Sequence, residues 1–253
     1  MLYGKGRKTD DAHWEAVSEG LIKDRLPSKL NVDVLNTTRL LKRIVRPGSR
    51  YIEIGCAPGK MLAWVSSVLR ADVVGLDYSE SGIAKCRALF EIMGVEVNLH
   101  LIDFFNHNLP PASFDVVTSF GFIEHFDDPR PVVQKHIDLV KPEGVVLIVV
   151  PNYGGVYGSL QRYCDPDNLT LHNLEIMSPS ALKELVDSPD VGNTLAYAFG
   201  SMSPWLVTLE KRLPWSVARL VSLGINALGL VQPIKIKSIA PMLVLEIRKG
   251  QVV

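Results

Sequence analysis

The chain has 253 residues, 47% of them hydrophobic, and 27 Lys plus Arg balance 27 Asp plus Glu to a formal net charge of zero. That is enough apolar chain for one domain with a sizeable core, and the balanced charge excludes the global positive field that draws proteins onto nucleic acid. No apolar run approaches the ~18 residues of a membrane span, the opening MLYGKGRKTDDAHW lacks the apolar stretch of a secretory signal, and a cytoplasmic location is expected. Cys56, Cys86 and Cys164 are odd in number and form no CxxC pair, so neither a disulfide framework nor a metal site is expected.

Taken in chain order, Asn31 to Arg46 reads as a helix carrying Leu40, Leu41, Ile44 and Val45, broken by "RPGS". Short Val/Ile/Leu-rich runs follow at Tyr51 to Ile54, Val73 to Leu76, Val95 to Ile102, Phe114 to Thr118 and Val145 to Val150, the pattern of strands buried on both faces. Between them, apolar residues fall at helical steps: Leu62, Val65 and Leu69; then Ile83, Cys86, Phe90 and Met93; then Val133, Ile137 and Val140. Ser79 and Asp128 stand at N-cap positions, the latter ahead of Pro129 at the first helical position. Ser178 and Pro179 open a further helix, and late strands are expected over Thr194 to Phe199 and Ile239 to Arg248. Strands alternating with helices assemble through right-handed crossovers, so the fold class is doubly wound α/β with a mostly parallel sheet.

Two stretches interrupt this rhythm. Residues 151–175 are rich in Gly, Tyr, Asn and Asp, a composition suited to a binding loop; residues 200–238 hold two of the four tryptophans. The expected organisation is an N-terminal helical cap over residues 1–49 and a core over 50–253 carrying these two substrate-side insertions.

Ligands of doubly wound sheets lie beyond the carboxyl ends of the strands, and here every strand end carries a polar signal. The first runs through Glu53 into Gly55-Cys56-Ala57-Pro58-Gly59, where missing side chains let backbone amides approach a ligand. The second ends in Asp77, 22 positions after Gly55, close to the ~20 expected of a carboxylate that binds ribose hydroxyls. The third ends in Asp103-Phe104, and the fourth runs into "SFGFIEHFDDP". The glycine bend alone is a weak signal, since it lacks the third glycine of GxGxxG.

Together, "YIEIGCAPGK", "VVGLDYS", "LIDFF", "FDVVTSFGFIEHFDDP" and "LVKPEGVVLIVVPN" resemble the class I S-adenosylmethionine-dependent methyltransferases, over about residues 50–152. The resemblance implies a seven-stranded Rossmann-like methyltransferase fold whose antiparallel seventh strand "IAPMLVLEIRKG" would supply. It implies S-adenosyl-L-methionine as cofactor, with Glu53 and the backbone of Gly55, Cys56 and Gly59 at its amino-acid end. Asp77 and the neighbouring Tyr78 would meet the ribose, Asp103 and Phe104 the adenine, and Phe120 with Gly121 the sulfonium side. The departure is Ala57, beside Pro58, where the family usually has a glycine.

Methyl transfer is an in-line displacement that needs positioning and, for a hydroxyl or amine, loss of a proton. His125 is the expected base, since it follows the fourth strand and its ordinary pKa of about 6.5 suits the task; His172 is the second candidate. Glu124 could orient His125. Asp127 and Asp128 beside His125 suggest a metal site, but a helix N-cap explains Asp128-Pro129 better. Tyr3, His13 and Trp14 are candidates for a lid.

In the late insertion, Val217, Val221, Ile225 and Leu228 share one helical face and Arg219, Ser222 and Asn226 another. That face is read as a pocket lid or homodimer contact, or as a segment lying at a membrane surface on the cytoplasmic side. The expected acceptor is a small molecule or glycan, lipid-linked in the membrane-surface case, and methylated at oxygen. A nicotinamide oxidoreductase and a catalytically silent interaction module are the alternatives.

Overall fold

The structure is a computed structural model that describes residues 6–10, 12–15, 26–231 and 239–251. The lid candidate Tyr3 and residues 232–238 of the late insertion lie outside the described residues.

Seven strands form one sheet: β1 (Arg50–Ile54), β2 (Asp72–Asp77), β3 (Asn98–Leu101), β4 (Phe114–Phe120), β5 (Val140–Pro151), β6 (Val191–Phe199) and β7 (Met242–Lys249), in the order β3-β2-β1-β4-β5-β7-β6. β1 pairs in parallel with β2 and β4, while β7 runs antiparallel between β5 and β6. The expected doubly wound sheet and its antiparallel seventh strand are therefore both present. Strand order reverses between β1 and β4, so the crevice for a ligand opens above Ile54 and Phe120.

Alternation along each strand divides the core in two. Ile52, Ile54, Val74, Leu76, Val117 and Ile148 face a layer built on α4 (Arg130–Leu139) and α7 (Pro179–Lys183). Tyr51, Val73, Val116 and Leu147 face the other layer: α1 (Val32–Ile44), α2 (Lys60–Trp64, continued by a π-helical turn over Val65–Leu69) and α3 (Glu80–Met93). Residues buried on both faces are what made the strands legible as continuous apolar runs. Two of the three expected caps form, and the third is displaced by one residue. Ser79 accepts the Gly82 amide and Ser178 that of Ala181, and Asp128 Oδ1 accepts the Arg130 amide at 3.2 Å although Pro129 holds the formal cap position.

Two expectations need correction. Strand 3 is only Asn98–Leu101, because Val95 and Val97 pack sideways onto the second core layer before the strand begins. Residues 151–175 are not an open loop but contain α5 (Val156–Cys164) and α6 (Pro166–Thr170). Tyr157, Gln161 and Cys164 point inward there at helical steps, a period hidden by the polar composition.

The late insertion carries α8 (Trp215–Val231). Its small and polar face packs on the body: Ala218 and Gly229 are buried, and Asn226 clamps the start of α1 by accepting the Val32 amide (3.0 Å) and donating to Leu30 O (2.8 Å). A Cβ on Gly229 would stand 2.9 Å from Val32 Cγ2, so close approach selects this face. Val217, Val221 and Leu228 are left exposed, together with Trp215, Leu220 and Val231. No described helix is long and apolar enough to cross a membrane.

Candidate active site

The bend after β1 is stitched to β2. The Gly55 and Cys56 amides both donate to Leu76 O, at 2.8 and 3.2 Å, and the Ala57 amide reaches Asp77 Oδ2 at 3.0 Å. Ser79 N donates to Asp77 Oδ1 at 2.9 Å, so amides from two loops orient one carboxylate. Burial raises the Asp77 carboxyl above its ordinary range, against the pull of those amides. Gly55 and Gly59 have φ of 69° and 84°, the left-handed region. A Cβ on Gly55 would lie 2.9 Å from Phe122, and one on Gly59 2.9 Å from Cys86 Sγ. Between them the Ala57-Pro58 bond is cis.

Asp77 forms one wall of a cavity of about 190 Å³ above the switch point. Of the residues singled out in the sequence, Gly55, Asp77, Tyr78, Phe104, Phe120 and His125 line it. Glu53, Cys56, Gly59, Asp103 and His172 are not on its wall. Cys56 is fully buried, with Cys86 Sγ 3.9 Å from its carbonyl, as packing residues are. Asp103 is occupied elsewhere, by an ion pair with Arg7 and by the Phe105 amide at 2.7 Å.

Arg7, Thr9 and Trp14 also line the cavity, and only Trp14 among them was singled out from the sequence. Residues 6–10 pass the pocket through a turn and bends, with one antiparallel bridge between Arg7 and Phe126: Lys8 N donates to His125 O at 2.8 Å and Asp127 N to Gly6 O at 2.7 Å. The Arg7 guanidinium lies 4.9 Å from the Tyr78 ring centroid. Trp14 donates from Nε1 to Thr9 Oγ1 at 2.9 Å and sets its edge against His125, centroids 5.0 Å apart. Glu15 then accepts the Glu80 and Ser81 amides at 2.7 and 3.2 Å, anchoring the segment to the start of α3. These contacts join residues tens of positions apart, and no local motif announces them.

Below the cavity, Glu53 is buried beside Tyr51, whose hydroxyl lies 3.3 Å from Glu53 Oε2 and accepts from Thr118 Oγ1 at 2.6 Å. Burial pushes the Glu53 carboxyl up to about 8, which leaves it protonated at neutral pH. Glu124, also buried, is pushed up to about 8 in the same way, and its Oε2 has no partner.

His125 and His172 stand together, ring centroids 4.9 Å apart, each with Nδ1 2.8 Å from a backbone carbonyl, Leu171 O and Asn168 O. Those bonds occupy Nδ1 in each ring, and His125 Nε2 lies 3.9 Å from Glu124 Oε1. Glu124, His125 and His172 bring ligand atoms within 4.8 Å of one another, a donor set able to hold a divalent cation where none was expected. Burial depresses His125 to about 4 and lowers His172 as well.

The sequence model described as "Methyltransferase domain" matches residues 31–189. A protein of Mycolicibacterium smegmatis named "Probable S-adenosylmethionine-dependent methyltransferase" is 34% identical over 105 residues, 42% of this chain and 39% of that protein. The ubiquinone biosynthesis O-methyltransferase of Paraburkholderia phymatum is 39% identical over 110 residues, 42% of this chain and 45% of that protein. The chain thus spans less than half the length of these curated relatives. Phosphoethanolamine N-methyltransferase 2 of Haemonchus contortus, solved with S-adenosyl-L-methionine, superposes with a TM-score of 0.59 over 85% of this chain and 52% of that one. Its 19% identity speaks for the fold alone. By its domain match and its sheet, the chain belongs to the methyltransferase domain family, built on the class I fold of S-adenosylmethionine-dependent enzymes.

Proposed function

We propose that this chain transfers a methyl group from S-adenosyl-L-methionine to an oxygen of a small-molecule or sugar acceptor. The observation that carries the reading is the Asp77 carboxylate, held by the Ala57 and Ser79 amides on the wall of an otherwise largely apolar cavity at the switch point. A nucleoside fits such a site: Asp77 takes the ribose hydroxyls, Tyr78, Phe104 and Trp14 offer apolar surface to the base, and Gly55 and Ala57, whose small size keeps the wall open, leave room for the amino-acid end. Bound there, the cofactor supplies an electrophilic methyl group on a sulfonium. The chain's own contribution is to hold the acceptor behind that methyl and exclude water, a positioning effect worth up to ~7–11 kcal/mol.

Neutral His125 offers Nε2 as a hydrogen-bond acceptor at the cavity wall, backed by His172. A base with a pKa of about 4 supplies little driving force for proton abstraction at neutral pH, so we assign His125 to orienting a donor. Calorimetric titration with S-adenosylhomocysteine tests the cofactor site. Binding by the unaltered chain and at least tenfold weakening by Asp77→Ala are expected; equal affinities would remove the assignment.

A second reading rests on α8. Trp215 is 67% exposed, Leu220 72% and Val231 80%, with Lys211, Arg212 and Arg219 close by in the chain. Apolar side chains beside tryptophan and basic residues suit the headgroup boundary of a membrane, and a lipid-linked acceptor would follow. Co-sedimentation with anionic liposomes that Leu220→Asp abolishes is expected. Liposome-independent dimerisation would assign the face to a second copy instead.

A further inference from the structure

A second cavity, of about 230 Å³, lies across Phe120 and Gly121 from the nucleoside pocket, since these two residues line both. Its wall comes from segments distant in sequence: Asp33 and Thr37 of α1, Met61 of α2, the end of β5, Leu206 of the late insertion and Met242 of β7. It is apolar except for Asp33, Thr37 and backbone, and no described residue on its wall is cationic.

Asp33 is half satisfied. Its Oδ2 accepts from Ser203 Oγ at 2.9 Å. The proton direction there is fixed, because Ser203 Oγ accepts the Trp205 amide at 3.2 Å and so turns its own hydrogen toward Asp33. The Ser203 amide in turn donates to Tyr157 OH at 2.9 Å, which donates to Ile239 O at 3.0 Å. Asp33 Oδ1, by contrast, is buried without any partner. An acceptor oxygen left open beside an apolar cavity is costly unless a ligand brings a donor.

Resting on the reading of the chain as a methyltransferase, we propose that this second cavity is the methyl-acceptor site and that Asp33 binds the acceptor's hydroxyl through Oδ1 and takes its proton. The ligand class follows from the wall. It is a compact, mainly apolar molecule whose reacting end carries an O–H and no anionic group, because a carboxylate or phosphate there would face Asp33 with no cation to offset it. In the step itself the acceptor oxygen forms its bond to the methyl carbon as the carbon–sulfur bond breaks. The electrons of that bond stay on sulfur, which becomes a neutral thioether, and the hydroxyl proton passes to Asp33 for release to water after the product leaves. Burial pushes the Asp33 carboxyl up to about 6, against the hydrogen bond from Ser203, so at neutral pH it is largely ionised yet close to matched for receiving a proton. The other titratable group facing it is Tyr157, itself raised by burial and by the Asp33 charge.

4-Nitrophenol tests this directly, since its ionised form is yellow and its protonated form is not. The chain is expected to bind it as the protonated phenol, with about a tenfold preference over phenolate at neutral pH. Asp33→Asn is expected to abolish that preference and bind the yellow form. Leu206→Trp, which fills the cavity from the insertion, should weaken uptake at least tenfold and serves if Asp33→Asn does not fold. S-Adenosylhomocysteine affinity is measured in parallel and should be the same, within threefold, in both variants. No uptake at millimolar probe, an unchanged colour preference in Asp33→Asn, or undiminished uptake by Leu206→Trp would each overturn the acceptor site. Failure of the unaltered chain to bind S-adenosylhomocysteine, with the probe behaving as described, would instead overturn the methyltransferase reading.

Discussion

The two cavities that share Phe120 and Gly121 differ in where their polar focus comes from. In the nucleoside pocket the wall that holds Asp77 is a local construction: β1, its glycine bend and Asp77 lie within 28 residues of one another, from Arg50 to Asp77, and are tied by backbone hydrogen bonds, while Arg7, Thr9, Trp14, Phe104 and residues 120–126 complete the wall from elsewhere. The second cavity draws on α1, α2, β4, β5, the insertion and β7, and its polar focus at Asp33 exists only because Ser203, 170 positions away, packs beside it. A ligand common to many enzymes can be held by a motif that a short segment encodes, whereas specificity is placed where distant segments meet.

Substitutions sharpen this contrast. The largest effect is expected from Gly55→Val, which forces a β-branched residue to φ 69° and drives its Cβ to within 2.9 Å of Phe122. Strain of this kind costs about 1–3 kcal/mol before the clash is counted, so denaturant unfolding should show a loss of at least that size and S-adenosylhomocysteine binding should vanish. Retained binding would mean that the bend does not form the cofactor wall.

Glu124→Gln has a smaller effect that depends on pH. The folded Glu124 carboxyl sits at about 8 against an ordinary 4.5, so its stabilising contribution is complete below 4.5 and is lost as pH rises through about 8. The variant keeps a neutral side chain throughout. Relative to the unaltered chain it should gain stability progressively between about pH 4.5 and about pH 8 in urea titrations, with little further change above. A difference that does not change with pH would contradict a protonated Glu124. Glu53 imposes the same alkaline loss on both proteins. His136, depressed to about 4 by burial, acts oppositely: its contribution is present above 6.5 and lost as pH falls through about 4.

The smallest effect is expected from Trp14→Ala. The ring edges against His125 and covers the cavity, yet most of the body does not depend on it. S-Adenosylhomocysteine affinity should fall several-fold with unfolding free energy changed by under ~1 kcal/mol, since truncation at the rim removes contact area rather than core. An effect as large as that of Asp77→Ala would make the N-terminal segment part of the local construction after all.

What could be read from the residues alone follows the same division. Strands buried on both faces, N-caps at Ser79 and Ser178, and the placement of Gly55, Asp77, Phe104 and Phe120 at strand ends are consequences of short-range pattern and were legible. The helices within residues 151–175 were missed because their inward positions include Gln161 and Cys164, which do not register as an apolar stripe. For α8, periodicity marks where the apolar residues are, not which side the body touches; here Ala218, Asn226 and Gly229 allow the close approach and the apolar face stays exposed.

The sequence by itself determined the doubly wound sheet, the glycine bend and the carboxylate of the nucleoside pocket, because apolar period, chain reversal and motif spacing are all set within a few turns of chain. Only the tertiary structure decided that Arg7 pairs with Asp103, that Trp14 closes over His125, that His125 meets His172, and that Asp33 is left with an open oxygen. Each of these depends on which distant groups burial brings within hydrogen-bonding or van der Waals reach. Burial also sets their charge states, because removing water raises Glu53, Glu124 and Asp33 and lowers His125.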